Sequence, residues 1–188
     1  MIIKGINLSI KSIFALSLYY CFAQFLPGSY TFAVGTACKW IRYQLVRRIF
    51  LDCGKNVNIE RRAIFGSGRN IIIGDNSGIG SYCHIPSNTI IGKNVMMAPN
   101  CYIIPYNHNF DKIDVPMCQQ GCSEMKQTII EDDVWIGRNV TIMPGRHIKK
   151  GTIIGACCVL TKDFPDYSVV GGNPSRLLKS RKTSVCND

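Results

Sequence analysis

The chain carries three histidines, at positions 84, 108 and 147, and one of them stands among residues suited to moving a proton. His108 lies in the polar stretch Tyr106-Asn107-His108-Asn109-Phe110-Asp111, with Asp111 and Asp114 near enough in sequence to orient an imidazole. Imidazole is the side chain best matched to proton transfer near neutral pH, so His108 suits a general base. The same surroundings describe a solvated loop histidine with no role, and spacing alone leaves both readings open. His84 precedes an aliphatic residue and reads as an outward surface or interface position. No two of the three histidines fall at a spacing that would let them share a face, so a histidine-bound metal site is not expected.

The elements that must position these groups are set by a six-residue beat. An aliphatic residue recurs at Ile73, Ile79, Ile85, Ile91, Met97 and Ile103, and again at Ile130, Ile136, Ile142, Ile148, Ile154 and Leu160. No helix has that period, whereas short strands wrapped into flat stacked coils do. The residue two before each aliphatic also points inward in a strand, and those slots hold Ile71, Ser77, Cys83, Thr89, Val95, Cys101, Val134, Val140, Thr152 and Cys158, all small or branched. Gly follows the aliphatic at 74, 80, 92, 137 and 155, where a corner has to turn sharply. Arg146 takes an inward slot and Lys149 a glycine corner, which predicts a distorted coil at 145–150. The fold class is therefore all-β, a β-helix over residues 53–165.

Ile130 follows Ile103 at a separation of 27, not a multiple of six, so the chain must leave the coil and return. His108 sits on this excursion, 105–128, and Trp135 points outward from the strand that follows it. Residues 1–52 read as an N-terminal helical region (helices between about residues 6 and 50), including a basic helix near Lys39 to Leu51 with Arg on one face. The run Ile13 to Leu26 is almost unbroken in apolar character but is shorter than the roughly 20 residues that span a bilayer. It reads as a helical cap on the coil, as a peripheral membrane contact, or as a cleaved or spanning segment. Residues 166–188 form a C-terminal tail with a turn at Gly171-Gly172-Asn173-Pro174 and a basic stretch that reads as a short helix or as disordered.

At 188 residues and 46% hydrophobic the chain fits one domain with a real core. A formal charge of +10 and an isoelectric point near 9.2 favour an anionic partner. The basic residues lack aromatic interleaving and match no nucleic-acid motif, so nucleic acid is not the expected partner. Ten cysteines include no CxxC pair, and several occupy inward slots where Cys behaves as a small hydrophobe, so they read as reduced.

The stretch from Trp135 to Gly145, then Ile154-Gly155-Ala156-Cys157-Cys158-Val159-Leu160-Thr161-Lys162-Asp163 and Gly172-Asn173-Pro174-Ser175-Arg176, resembles the hexapeptide-repeat acyltransferases. The likeness covers roughly residues 53 to 180 and lies with the branch that O-acetylates sugars, including the maltose and galactoside acetyltransferases and those of polysaccharide assembly. It implies a left-handed parallel β-helix, a homotrimer with acetyl-CoA sites between subunits, and no metal. It implies that His108 takes the proton from an acceptor hydroxyl as that hydroxyl attacks the thioester. It matches Ala156 to the position whose backbone contacts the pantetheine arm and Thr161, Lys162, Arg176 and Lys179 to positions at the nucleotide end, and it counts Trp135, Arg138 and Gly155 among the cofactor-binding residues. Arg138, Arg146 and Lys149 depart from the family's usual residues, and the apolar N-terminus favours the polysaccharide branch, acting in the cytoplasm or at the inner face of the membrane. The other readings are a different acceptor (a sugar amine, serine or an antibiotic hydroxyl) and a catalytically silent trimeric scaffold. A carbonic anhydrase of the same coil would need a three-histidine zinc site. A covalent acetyl-enzyme is not expected, because Cys83, Cys101 and Cys158 face inward.

Overall fold

The computed structural model describes residues 10–182. Positions 1–9 and 183–188, including the start of the expected helical region and the end of the tail, lie outside the described residues.

The hexad becomes three flat faces of two-residue strands. The first face stacks Asp52–Cys53, Ile72–Ile73, Ile90–Ile91, Ile129–Ile130 and His147–Ile148 in parallel. The second stacks Asn58–Ile59, Gly78–Ile79, Met96–Met97, Trp135–Ile136, Ile153–Ile154 and Ser168–Gly171 in the same way. The third stacks Tyr102–Ile103, Thr141–Ile142 and Val159–Leu160, and bridges from Ile64 through His84 to Tyr102 continue it toward the N-terminus. Each circuit visits the first, second and third face in turn, so a residue and its successor one coil later share a face and bond through the backbone.

All twelve aliphatic beats are buried, and so are the inward slots two residues earlier, apart from the one held by Arg146. The coil around Arg146 is not distorted. Ile129 N–H donates to Arg146 O at 3.0 Å and Glu131 N–H to Ile148 O at 2.9 Å, so the ladder passes through in register. The guanidinium escapes to the rim, donating to Thr161 O at 3.1 Å and lying 3.5 Å from Asp163. The side chain's apolar stem takes the inward slot and its charge stays wet.

The corner glycines serve a purpose other than turning. At Gly74 a Cβ would lie 2.7 Å from the carbonyl carbon of Gly92, and at Gly137 it would lie 2.6 Å from Ala156 N, so glycine is needed at these two corners for the coils to stack, whereas at Gly155 a Cβ would make an ordinary 3.4 Å contact with Val170 O. The left-handed turn falls two residues later, at Asn56, Asn76, Asn94 and Asp133 along one edge and at Asn100, Asn139 and Cys157 along another. Asn tolerates this conformation best among side-chain-bearing residues. Its amides also stack into ladders, Asn56 to Asn76 at 3.1 Å and Asn100 to Asn139 at 3.1 Å.

The N-terminal end of the coil is closed by two helices, α1 (Ile10–Cys21) and α2 (Gly35–Ile49). Ala15 and Tyr19 of α1 and Leu45, Val46 and Ile49 of α2 join the coil's core. The Tyr19 hydroxyl donates to Ala63 O at 2.9 Å, and its ring packs on Phe65. The basic helix thus begins and ends slightly earlier than expected, and Arg42 is not on an exposed face. Arg42 is fully buried, donating to Ile59 O at 2.5 Å, Pro27 O at 2.9 Å and Ser29 Oγ at 3.2 Å, with Glu60 4.0 Å away. At the other end Ser168–Gly171 extends the second face, and Arg176–Ser180 returns antiparallel to it across a turn with a cis Asn173–Pro174 bond. The basic stretch is a strand where a helix or disorder was expected.

Arg42 ties helix, loop and coil through one guanidinium, so Arg42→Ala is expected to cost about 3–5 kcal/mol in urea unfolding, because Glu60 loses its counter-charge and the Ile59, Leu26 and Pro27 carbonyls lose a donor. Arg47→Ala, on the exposed side of α2, should stay within about 0.5 kcal/mol. Burial pushes the Glu60 carboxyl up, but hydrogen bonds from Asn58 and Ser29 and the Arg42 charge outweigh it and hold Glu60 below the usual carboxylate value. Stability from Glu60 is therefore present above the unfolded carboxylate pKa and lost as pH falls through the folded one. Glu60→Gln should flatten that acid limb of the stability profile.

Candidate functional site

His108 is exposed on the excursion and held by a short two-stranded ladder. Its backbone bridges Cys122, while Ser123 N–H donates to Asn107 O at 2.8 Å and Asn109 N–H donates to Gly121 O at 3.1 Å. Among the described residues neither Asp111 nor Asp114 hydrogen-bonds the ring. Its Nδ1 faces the Cys122 sulfur at 3.4 Å instead, which turns Nε2 away from the ladder. Cys118 and Cys122 are free, exposed and within the excursion, so inward cysteines do not account for all the thiols near the histidine. Cys83, Cys101 and Cys158 do face inward. Cys83 and Cys101 share the Ala98 carbonyl at 3.3 and 3.1 Å, and their contact together with burial pushes the Cys83 thiol up.

The excursion leaves the coil at the edge between the third and first faces. Along the opposite edge of the third face, where the chain passes from second to third, lie Trp135, Arg138, Gly155 and Ala156. Trp135 is half exposed and sits in register between Met96 and Ile153. Arg138 and Ala156 occupy one corner of consecutive coils, joined where Cys157 N–H donates to Arg138 O at 2.8 Å. Thr161 ends the third face, its backbone N–H and hydroxyl at 3.0 and 3.1 Å from Ser175 Oγ, and Lys162 rests over the Phe164 ring. Arg176 and Lys179 are exposed on the terminal antiparallel strand. The structure thus brings Trp135, Gly155, Ala156 and Arg138 to one edge and Thr161 to Ser175 and the start of the Arg176 strand. Within one chain His108 stands at the far edge of the same face.

A groove of about 710 Å³ runs down the second face and ends at Trp135. Its walls include Tyr30 and Lys39 from the cap, Asn58 and Glu60 from the first coil, and Met96. Aromatic and apolar surface alternates there with amide, ammonium and carboxylate groups, a lining suited to a ligand with apolar faces and many hydroxyls. Sequence reasoning missed the groove and its Glu60, because the cap residues that build it carry no motif. It also missed Cys122, although its place in the excursion was visible.

The other histidines lie elsewhere. The His84 ring packs against Tyr102 on the third face, centroids 5.1 Å apart. His147 Nε2 lies 2.6 Å from Glu131 Oε1, and Lys149 lies 3.4 Å from the same oxygen. Burial pushes Glu131 up, and the Lys150 N–H, His147 and Lys149 together hold it lower than an ordinary carboxyl. Lys149 at its corner therefore has a carboxylate partner, and the cluster fastens two coils at the first-to-second edge.

The chain matches the family model described as bacterial transferase hexapeptide (six repeats) over residues 70–105 and 127–162, the two hexad arrays on either side of the excursion. It is 31% identical over 140 residues to the galactoside O-acetyltransferase of Escherichia coli (strain K12), covering 73% of this chain and 68% of that protein. A solved maltose O-acetyltransferase from Clostridium difficile 630 is 31% identical, superimposes with a TM-score of 0.71, and covers 90% of this chain and 86% of that one. The hexapeptide-repeat acetyltransferase VCA0836 of Vibrio cholerae O1 biovar eltor, solved with acetyl coenzyme A, is 25% identical, with a TM-score of 0.59 over 94% of this chain and 92% of its own. The six-residue beat, the left-handed coil it builds and these relatives make the chain a member of the hexapeptide-repeat acetyltransferase family.

Proposed function

We propose that the protein moves the acetyl group of acetyl-CoA to a hydroxyl of a sugar or glycan precursor in the cytoplasm, with His108 as general base and without a metal. The observation that carries this reading is the continuity of groove and edge: the groove from the cap ends at Trp135, where the edge bearing Gly155, Ala156 and Arg138 begins. An acceptor lying in the groove would meet a thioester lying along the edge. Ala156 and Gly155 offer backbone and little side chain to the pantetheine arm, and Lys162, Arg176 and Lys179 offer charge to its phosphates.

The base has to come from a neighbouring copy. A three-sided prism whose third face turns toward a threefold axis brings the edge carrying Trp135 in one subunit against the edge carrying the excursion in the next. In a homotrimer so arranged three sites follow, each completed by the neighbour's His108. In the tautomer protonated at Nδ1, the ring donates a hydrogen bond to Cys122 Sγ and keeps that proton, which leaves Nε2 to take the acceptor's hydroxyl proton. The oxygen attacks the thioester carbonyl, backbone N–H groups hold the oxyanion, and the thiolate leaves with the proton returned by His108.

His108→Ala should lower thiol release in the presence of a sugar acceptor by about 10²–10⁴ while acetyl-CoA binding persists. If acceptor-dependent release survives the substitution, the base assignment is wrong. Cys122→Ala should lower kcat about five- to tenfold, the worth of one hydrogen bond, with Cys122→Ser restoring most of it and KM for acetyl-CoA unchanged. Subunit sharing is tested by mixing two inactive variants, His108→Ala and Ala156→Trp. Random mixed trimers should recover about a quarter of wild-type sites, whereas a site built within one chain would recover none.

A further inference from the structure

The outer face of the helical cap is not explained by the acetyl transfer. Helix α1 buries Ala15 and Tyr19 and presents Ile10, Phe14 and Leu18 to solvent at four-residue spacing, a stripe that Phe22 continues just past its end. Tyr30 and Phe32 in the following loop are 93% and 96% exposed. A helix apolar on both sides needs cover on both, and the coil supplies only one.

The charge of this segment identifies the cover. The first 51 residues contain Lys4, Lys11, Lys39, Arg42, Arg47 and Arg48 and no Asp or Glu, so they hold +6 of the chain's +10, and among the described ones Arg42 alone lies inside the core, against Glu60. Arg62 adds a guanidinium 4.5 Å from the Phe25 ring at the margin of the stripe. A second copy would set this cationic segment against itself. A membrane of anionic lipid complements it, since apolar side chains enter the acyl boundary while Lys and Arg meet the headgroups and Tyr sits between. No described helix is long and apolar enough to cross a membrane, and the 12 residues of α1 reach about 18 Å against roughly 30 Å of hydrocarbon.

We infer that the cap is a peripheral membrane anchor: α1 lies in the plane of an anionic bilayer with Phe14, Leu18 and Phe22 inserted. This holds whether or not the acetyl acceptor is a sugar, and it sets the groove, whose rim includes Tyr30, beside the bilayer surface.

The test is sedimentation of the full-length protein with vesicles of phosphatidylcholine alone or with roughly 30 mol % phosphatidylglycerol. Binding is expected to the anionic vesicles, weakened by about 0.5 M salt. Phe14→Glu with Phe22→Glu, both on the exposed stripe, should reduce the bound fraction at least tenfold while thiol release and solution mass stay unchanged. Failure of the wild type to bind anionic vesicles overturns the inference, as does equal binding to neutral ones or undiminished binding of the double variant. A change in solution mass on introducing the two glutamates would instead make the face a contact between copies, and would overturn it too.

Discussion

Successive coils are joined by their backbones, and everything else in the molecule is arranged around that ladder. Parallel strands lie about 4.8 Å apart, a spacing that leaves no room for a side chain between coils at the corners. Gly54, Gly74, Gly80, Gly92 and Gly137 are among the places where the coils press closest, and a Cβ at each would meet backbone or a bound carboxylate under 3 Å away. The same spacing allows side chains at equivalent positions to stack on one another. Aliphatic residues then fill the interior as columns, and asparagines run as columns along the edges.

A prism built this way has only its edges on which to place irregular structure. The excursion is inserted at one edge with no loss of register, since Ile129 pairs with Ile90 as though the intervening residues were absent. Its histidine is therefore carried at a fixed height on the column while the loop is free to differ in sequence. The groove uses the opposite strategy: a regular face is roofed by residues of the cap. In the proposed reading the site is assembled from a rigid column, an inserted loop and a capping segment, each with separate sequence requirements.

That separation explains what could be read in advance. Ile73 to Leu160 announced the coil because burial repeats every six residues. His108 could be noticed because the period fails around it. Arg42 could not be placed, because a charged residue in a helix reads as surface until its acceptors, Ile59 O and Pro27 O, are brought near by the coil. Cys122 was obscured for a related reason: the ladder that sets it beside His108 is local to a loop with no period. The corner asparagines do repeat, but polar residues at a turn look like ordinary solvent-facing positions until their left-handed backbone is seen.

The partner of Tyr19 is the carbonyl of Ala63, 44 residues further along the chain. During synthesis from the N-terminus, α1 leaves the ribosome well before the coil that receives it exists. Both of its apolar sides are then bare at once, in a segment that has no acidic residue to keep it apart from lipid or from other nascent chains. The order of translation thus gives a membrane or a chaperone the first opportunity to hold this helix, and the finished column must later take back only the side bearing Ala15 and Tyr19.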